Sequence, residues 1–80
     1  MISKLTSKDK IVGVKQVKRA LETDTAKIVY IAKDAESKVT EEIAETCTEK
    51  QIQVFYVNNM KELGNACGID VNAAVAALIK

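Results

Sequence analysis

Histidine, proline and tryptophan are missing from the 80-residue chain, and cysteine occurs only twice. Without an imidazole, the commonest general base and the commonest zinc ligand are both gone. Cys47 and Cys67 match no metal-ligand spacing and make too sparse a framework for a secreted disulfide scaffold, so they read as reduced, buried thiols of a cytosolic protein. Either thiol would have to act as a nucleophile with no imidazole beside it, which speaks against cysteine catalysis. With no proline, only three glycines and no internal repeat, nothing divides the chain, and residues 1–80 are expected to form one domain. Aromatics are 4% of residues against 48% apolar overall, so the core must be built from small side chains, chiefly Ala, Val and Ile. The longest apolar run, Ala73 to Ile79, is too short to span a bilayer, and the first eight residues carry charge where a signal peptide needs an apolar stretch. A cytoplasmic protein without a membrane partner is the expectation.

What is present is unevenly distributed. Residues 1–19 hold Lys4, Lys8, Lys10, Lys15, Lys18 and Arg19 against Asp9 alone, a net +5, whereas residues 20–80 hold six cations against ten carboxylates, a net −4. A basic N-terminal third can offer a nucleic acid one positive face while the opposite surface stays acidic. An ordinary solvated basic terminus would look the same, and charge alone leaves both readings open.

The apolar pattern alternates in period along the chain. Ser3 to Lys10 is a short helical candidate, followed by a brief apolar step, Ile11-Val12, that reads as a strand ending at Gly13. From Gly13 to Thr23, Val14, Val17, Ala20 and Leu21 recur at the spacing of a helix with one buried face. Ala26 to Ala32 is a β-branched, nearly continuous apolar run, as expected of a strand covered on both sides. Ser37 to Gln51 reads as a helix with Ser37 as its N-cap, Val39, Ile43, Ala44 and Cys47 inward, and Glu41, Glu42, Glu45 and Glu49 outward. Ile52 to Val57 is a second strand, and Asn58-Asn59 offers capping chemistry for a helix from Met60 to about Ala66. Ala73 to Ile79 is ambiguous, because Ala favours helix and its Val and Ile favour strand. Strands alternating with helices predict a layered α/β domain.

The polar face of the Gly13 helix is the first candidate site. Lys15, Gln16 and Arg19 lie three and four residues apart and project together, away from Val14, Val17 and Leu21. They stand at a helix start, where free N–H groups favour phosphate, and Gly13 permits a ligand to approach the backbone. Gln16 can both donate to and accept from a base edge. A solvated amphipathic face carries the same residue types, so spacing does not decide between the two. The second candidate is the stretch from Gly64 to Ala74, where Ile69 and Val71 sit beside Gly68, Asp70 and Asn72 in what reads as a loop. They could pack inward or stay exposed for a base or a partner. Tyr30, Phe55 and Tyr56 fall within predicted strands and read as core rather than as stacking platforms.

Taken together, Gly13-Val-Lys15-Gln16-Val-Lys-Arg19-Ala20, Ile28-Val-Tyr-Ile-Ala-Lys33-Asp34-Ala35, Val54-Phe-Tyr-Val57 and Leu63-Gly-Asn-Ala-Cys-Gly-Ile-Asp-Val71 resemble the kink-turn-binding ribosomal protein family. The resemblance is to its large-subunit seven-Ae and thirty-e type, in the short bacterial form, and runs nearly end to end. It implies a three-layer α-β-α sandwich around a mixed, mostly four-stranded sheet. It also implies binding to the kink turn, a sharply bent RNA internal loop with tandem sheared G·A pairs. By position, the resemblance assigns Gly13, Lys15, Gln16 and Arg19 to the motif that reads the G·A pairs and Lys33 to the flanking loop. Ile69, Asp70 and Val71 match the loop that covers a flipped-out nucleotide. A regular A-form major groove is too narrow to read, but a kinked one exposes guanine O6 and N7 to such donors.

Three positions depart from the pattern: Gln16 stands where archaeal relatives carry Glu, Met60 where many carry Lys, and Asn72 where many carry Pro. The expected function is non-enzymatic: a monomer, with no metal or cofactor, that binds a kink turn in ribosomal or other structured RNA, with the ribosome a candidate partner. A protein-interaction module of the same fold, acting in a ribonucleoprotein or regulatory complex through the acidic Ser37–Gln51 helix, is the alternative. A small-molecule enzyme is disfavoured by the missing His and the lack of a phosphate-loop motif.

Overall fold

A computed structural model of the chain describes residues 10–68 and 72–79. In order these form β1 (Lys10–Val12), α1 (Val14–Glu22), β2 (Ala26–Ala32), α2 (Ser37–Glu49), β3 (Gln53–Val57), α3 (Met60–Ala66) and β4 (Val75–Ile79). The strands make one mixed sheet in the order β1-β4-β2-β3, with β2 parallel to β3 and β4 antiparallel to both of its neighbours.

Period-two alternation in the two central strands divides the core into two layers. Ile28, Tyr30, Ala32, Ala76 and Leu78 point to one face, where Leu63 and Cys67 of the α3 segment cover them. Val29, Ile31, Val75 and Ala77 point to the other, where α1 contributes Val17, Ala20 and Leu21 and α2 contributes Ile43 and Cys47. The result is the three-layer α-β-α arrangement around a four-stranded mixed sheet that the family resemblance implies. β2 is buried at every position but Lys27, as its continuous apolar run requires.

The ambiguous Ala73–Ile79 stretch resolves as the central strand β4, buried at Val75, Ala76, Ala77 and Leu78. Burial on both faces overrides the helical preference of alanine there, and the small side chains let helices pack close on each side. Two expectations need correction. Ser37 is not the N-cap of α2 but its first helical residue; the cap is Glu36, which makes no side-chain cap bond. The turn that buries Ala35 and bonds its N–H to the Ala32 carbonyl at 3.2 Å advances the chain so that the cap falls one residue early. Tyr56 is not core: it lies on the edge strand β3 and is 56% exposed. The Ser3–Lys10 helical candidate falls outside the described residues, apart from Lys10, which belongs to β1.

The layering also changes the charge picture. The basic helix α1 and the acidic helix α2 lie side by side on one face of the sheet rather than on opposite surfaces. Lys18 pairs with Glu42 at 3.2 Å and Lys50 with Asp24 at 2.8 Å between the two helical segments and their ends. Among the described residues, no helix is long and apolar enough to cross a membrane.

Candidate nucleic-acid interface

The topology gathers one end of β1, β2, β3 and β4 and the connections that leave or enter there. Gly13, directly after β1, donates its N–H to the Val75 carbonyl at the start of β4, at 3.0 Å. The Ala32 N–H, at the end of β2, bonds the Ala74 carbonyl at 2.9 Å, and the Lys33 N–H bonds the Val57 carbonyl at the end of β3 at 2.8 Å. The helix α1, the Lys33 turn, the helix α3 and the Asn72–Ala74 approach to β4 therefore begin or end at one edge of the molecule. Gly13 and Val75, remote in sequence, are joined by that backbone bond, which sets the start of α1 beside the start of β4.

Gly13 makes that junction possible. Its φ of 108° and ψ of 151° lie where residues with a Cβ are strained, so the turn from β1 into α1 selects glycine for its backbone. A Cβ there would meet nothing within 4 Å, so the requirement is conformational rather than steric crowding by neighbours. As N-cap it offers no side chain to the helix, and the first turn of α1 contains no acidic residue. The first intrahelical bond runs from Val17 N–H to the Gly13 carbonyl at 3.0 Å, which leaves the Val14, Lys15 and Gln16 N–H groups without intrahelical acceptors. The positive end of α1 is thus uncapped by side chains.

Lys15, Gln16 and Arg19 are all exposed, as their place on the polar face requires. They line one open hollow together with Lys18 and Glu22. Gln16 and Arg19 also border a second depression over Ile11, Thr23 and Ile79. Lys18 differs from these three, since its amine turns to Glu42 of α2. Lys33 is exposed and stands at the same end of the sheet, directly after β2. Ile69, Asp70 and Val71 lie outside the described residues; they are flanked by Gly68, with φ 76° closing α3, and Asn72, exposed at the approach to β4.

Two side chains hold this end together, and sequence reasoning passed over one of them, Asp34. Asp34 accepts the Met60 N–H through Oδ1 at 2.7 Å, and Asn59 accepts the Glu62 N–H through Oδ1 at 2.8 Å. Asn59 had a local signal, an amide residue just before a helix, and is the cap expected there. Asp34 had none, because its partner is 26 residues away. Met60 contributes backbone groups here: its carbonyl accepts the Ala73 N–H at 3.1 Å.

Among the described residues no group of three His, Cys, Asp or Glu side chains could hold a metal. Cys47 and Cys67 are free and buried, and burial pushes both thiols above their ordinary pKa, the charge of Lys10 partly offsetting this at Cys67. Thiols held protonated in this way are poor nucleophiles.

The model of the ribosomal protein L7Ae/L30e/S12e/Gadd45 family matches residues 2–80. An RNA-binding protein of Caldanaerobacter subterraneus subsp. tengcongensis is 52% identical over 68 residues, covering 85% of this chain and 83% of that protein. The large ribosomal subunit protein eL8 of Halobacterium salinarum is 35% identical over 68 residues, covering 84% of this chain and 57% of its own length. Among solved structures, a Giardia lamblia 15.5kD RNA binding protein superposes with a TM-score of 0.88 at 22% identity, over 99% of this chain and 68% of that one, a likeness of fold.

Proposed function

Because the chain belongs to the ribosomal protein L7Ae/L30e/S12e/Gadd45 family, we propose that it is a non-catalytic RNA-binding protein whose target is a kink turn in ribosomal or other structured RNA. The observation that carries this reading is the convergence, at one end of the sheet, of an uncapped basic helix start, the Lys33 turn and the approach to β4. Each offers what a bent RNA needs: backbone donors and cations for phosphate, and Gln16 and Arg19 for base edges opened by the kink. Lys15 and Arg19 supply charge-assisted bonds to guanine or phosphate, Gly13 lets RNA come close to the backbone, and Lys33 steadies the flanking strand. Ile69, Asp70 and Val71 keep the role that family position assigns them, covering the flipped-out nucleotide. The protein acts as a monomer in the cytoplasm and needs no cofactor.

The test is a titration of a kink-turn RNA and a control duplex of equal length at two salt concentrations. Preference for the kink turn is expected; equal affinity for both would leave only charge attraction and end the reading. Lys15→Ala and Arg19→Ala are each expected to weaken kink-turn binding by about 1 to 3 kcal/mol. Unchanged affinity in a folded variant would remove that residue from the interface.

A further inference from the structure

Resting on the RNA-binding reading above, we propose that Asp34 is a positioning residue for RNA binding. Its carboxylate holds the start of α3, and through α3 the chain entering β4, in the arrangement that RNA meets, with no need to touch RNA itself. The bonds form a circuit. Asp34 Oδ1 accepts from Met60 N–H at 2.7 Å, the Met60 carbonyl accepts from Ala73 N–H at 3.1 Å, and the Ala74 carbonyl accepts from Ala32 N–H at 2.9 Å, two residues before Asp34. The circuit ties together the end of β2 and its β2–α2 connection, the first residue of α3 and the α3–β4 connection. Asp34 supplies its one side-chain link.

The link matters because α3 is only seven residues long. A helix so short does not hold itself by its own hydrogen bonds and takes its position from outside ties. Met60 is its first residue, with an N–H that has no intrahelical acceptor, at the end of the helix where a carboxylate is favoured. Asn59 serves the Glu62 N–H and leaves Met60 to Asp34. When Asp34 lets go, the Met60 carbonyl that fixes Ala73 is freed to shift with it.

Charge alone makes the opposite forecast, and this separates the two ideas. Asp34 is an exposed carboxylate next to Lys33, at the end of the sheet where RNA is proposed to sit. If it acted only through its field, removing it would relieve phosphate repulsion and tighten binding. If it positions the site, removing it loosens binding despite the gain in positive charge.

The experiment compares wild type, Asp34→Ala and Asp34→Asn, reading kink-turn affinity, melting temperature and hydrogen exchange at the Ala73 amide. Asp34→Ala is expected to bind about 3- to 10-fold more weakly than wild type while still folded, with faster exchange at Ala73. Asp34→Asn keeps an oxygen acceptor, drops the charge, and is expected to bind as tightly as wild type or tighter. Should Asp34→Ala fail to fold, Asp34→Ser, too short to reach Met60, takes its place with the same expectation. Binding by Asp34→Ala (or Asp34→Ser) at least as tight as wild type overturns the proposal, as does unchanged Ala73 exchange or an Asp34→Asn variant as weak as Asp34→Ala. Wild type showing no preference for the kink turn sinks the RNA reading and this proposal with it, an outcome visible before any variant is measured.

Discussion

Tyr30 is fully buried at the centre of β2 and stacks on Phe55 with ring centroids 5.7 Å apart, yet its hydroxyl is without a hydrogen-bond partner among the described residues. A buried hydroxyl without a partner forfeits its hydration and receives nothing for it, while the ring supplies the packing. Tyr30→Phe keeps the stack and removes the orphan oxygen, so stability is expected to stay level or rise by up to about 1 kcal/mol in urea denaturation. A loss of that size would mean that the hydroxyl does useful bonding. The same burial shapes the response to alkali. Tyr30, Cys47 and Cys67 are all held protonated above their ordinary values of 10.0, 9.0 and 9.0 by desolvation, with Lys10 opposing at Cys67. An acid whose folded pKa is raised binds its proton more tightly when folded, so this contribution is intact below the unfolded pKa and is lost as pH climbs through and above it. Stability should therefore start to fall near pH 9, and Cys47→Ala, though less stable at pH 7, should lose less between pH 8 and pH 10. Identical slopes for variant and wild type would discount the thiol. At this scale Lys15, Gln16 and Arg19 were readable, because helical periodicity assigns a face to each residue without any knowledge of the fold. Asp34 was not, since its meaning depends on Met60, which only the β2–β3 pairing brings near.

Helices α1 and α2 end in the same way, and neither ending uses glycine. Asp24 and Gln51 take the left-handed conformation with φ of 57° and 59°. Thr25 N–H reaches the Ala20 carbonyl at 2.9 Å with Asp24 N–H on the Leu21 carbonyl at 3.3 Å, and Ile52 N–H reaches the Cys47 carbonyl at 2.8 Å with Gln51 N–H on the Thr48 carbonyl at 3.2 Å, in each helix the paired bonds of a Schellman ending. A side chain in that conformation carries a steric cost that glycine avoids. Gln51 is exposed, so Gln51→Gly gives up no packing and is expected to stabilise the fold by about 0.5 to 1 kcal/mol. Asp24→Gly should gain less, because Asp24 also holds Lys50 at 2.8 Å; equal gains at the two sites would show that this ion pair contributes nothing. Helix and strand positions were legible wherever a helical period ran for two turns or β-branched residues filled a strand, as in Val14–Leu21 and Ile28–Ala32. The Ala73–Ile79 stretch was not, because its alanines favour helix while its Val and Ile favour strand, and only its neighbours β1 and β2 decide its state. Ser37 was misassigned for a related reason: the cap position was moved by the burial of Ala35, a tertiary contact that the local pattern does not contain.

Across the whole molecule the net charge is only +1, so attraction of RNA depends on where the charges lie rather than on their sum. α2 exposes Glu41, Glu42, Glu45 and Glu49; Glu42 faces α1 across Lys18, while Glu41, Glu45 and Glu49 line a separate depression on α2. On the proposed reading, RNA resting on α1 would therefore meet a carboxylate on the Lys18 flank and find its free cations toward the end of the sheet that holds Gly13 and Lys33. Such an arrangement favours a specific site over general polyanion binding, and salt reports the difference. With Lys15, Arg19 and Lys33 as the main cationic contacts, the logarithm of the association constant for a kink-turn RNA should fall against the logarithm of salt with a slope of about −2 to −4. A much steeper slope would mean that the basic residues act as a diffuse cloud. Glu42→Gln sharpens the test. Glu42 holds the Lys18 amine at 3.2 Å, and both side chains are substantially exposed, so breaking the pair costs little stability. Freed from α2 but still on the α1 face, Lys18 becomes available to phosphate, and the variant is expected to bind more tightly at low salt with a slope steeper by about one. If affinity and slope both stay put, RNA does not pass along the Lys18 side of α1, and the path over the Gln16 and Arg19 side toward Ile11 and Ile79 is the one the molecule uses.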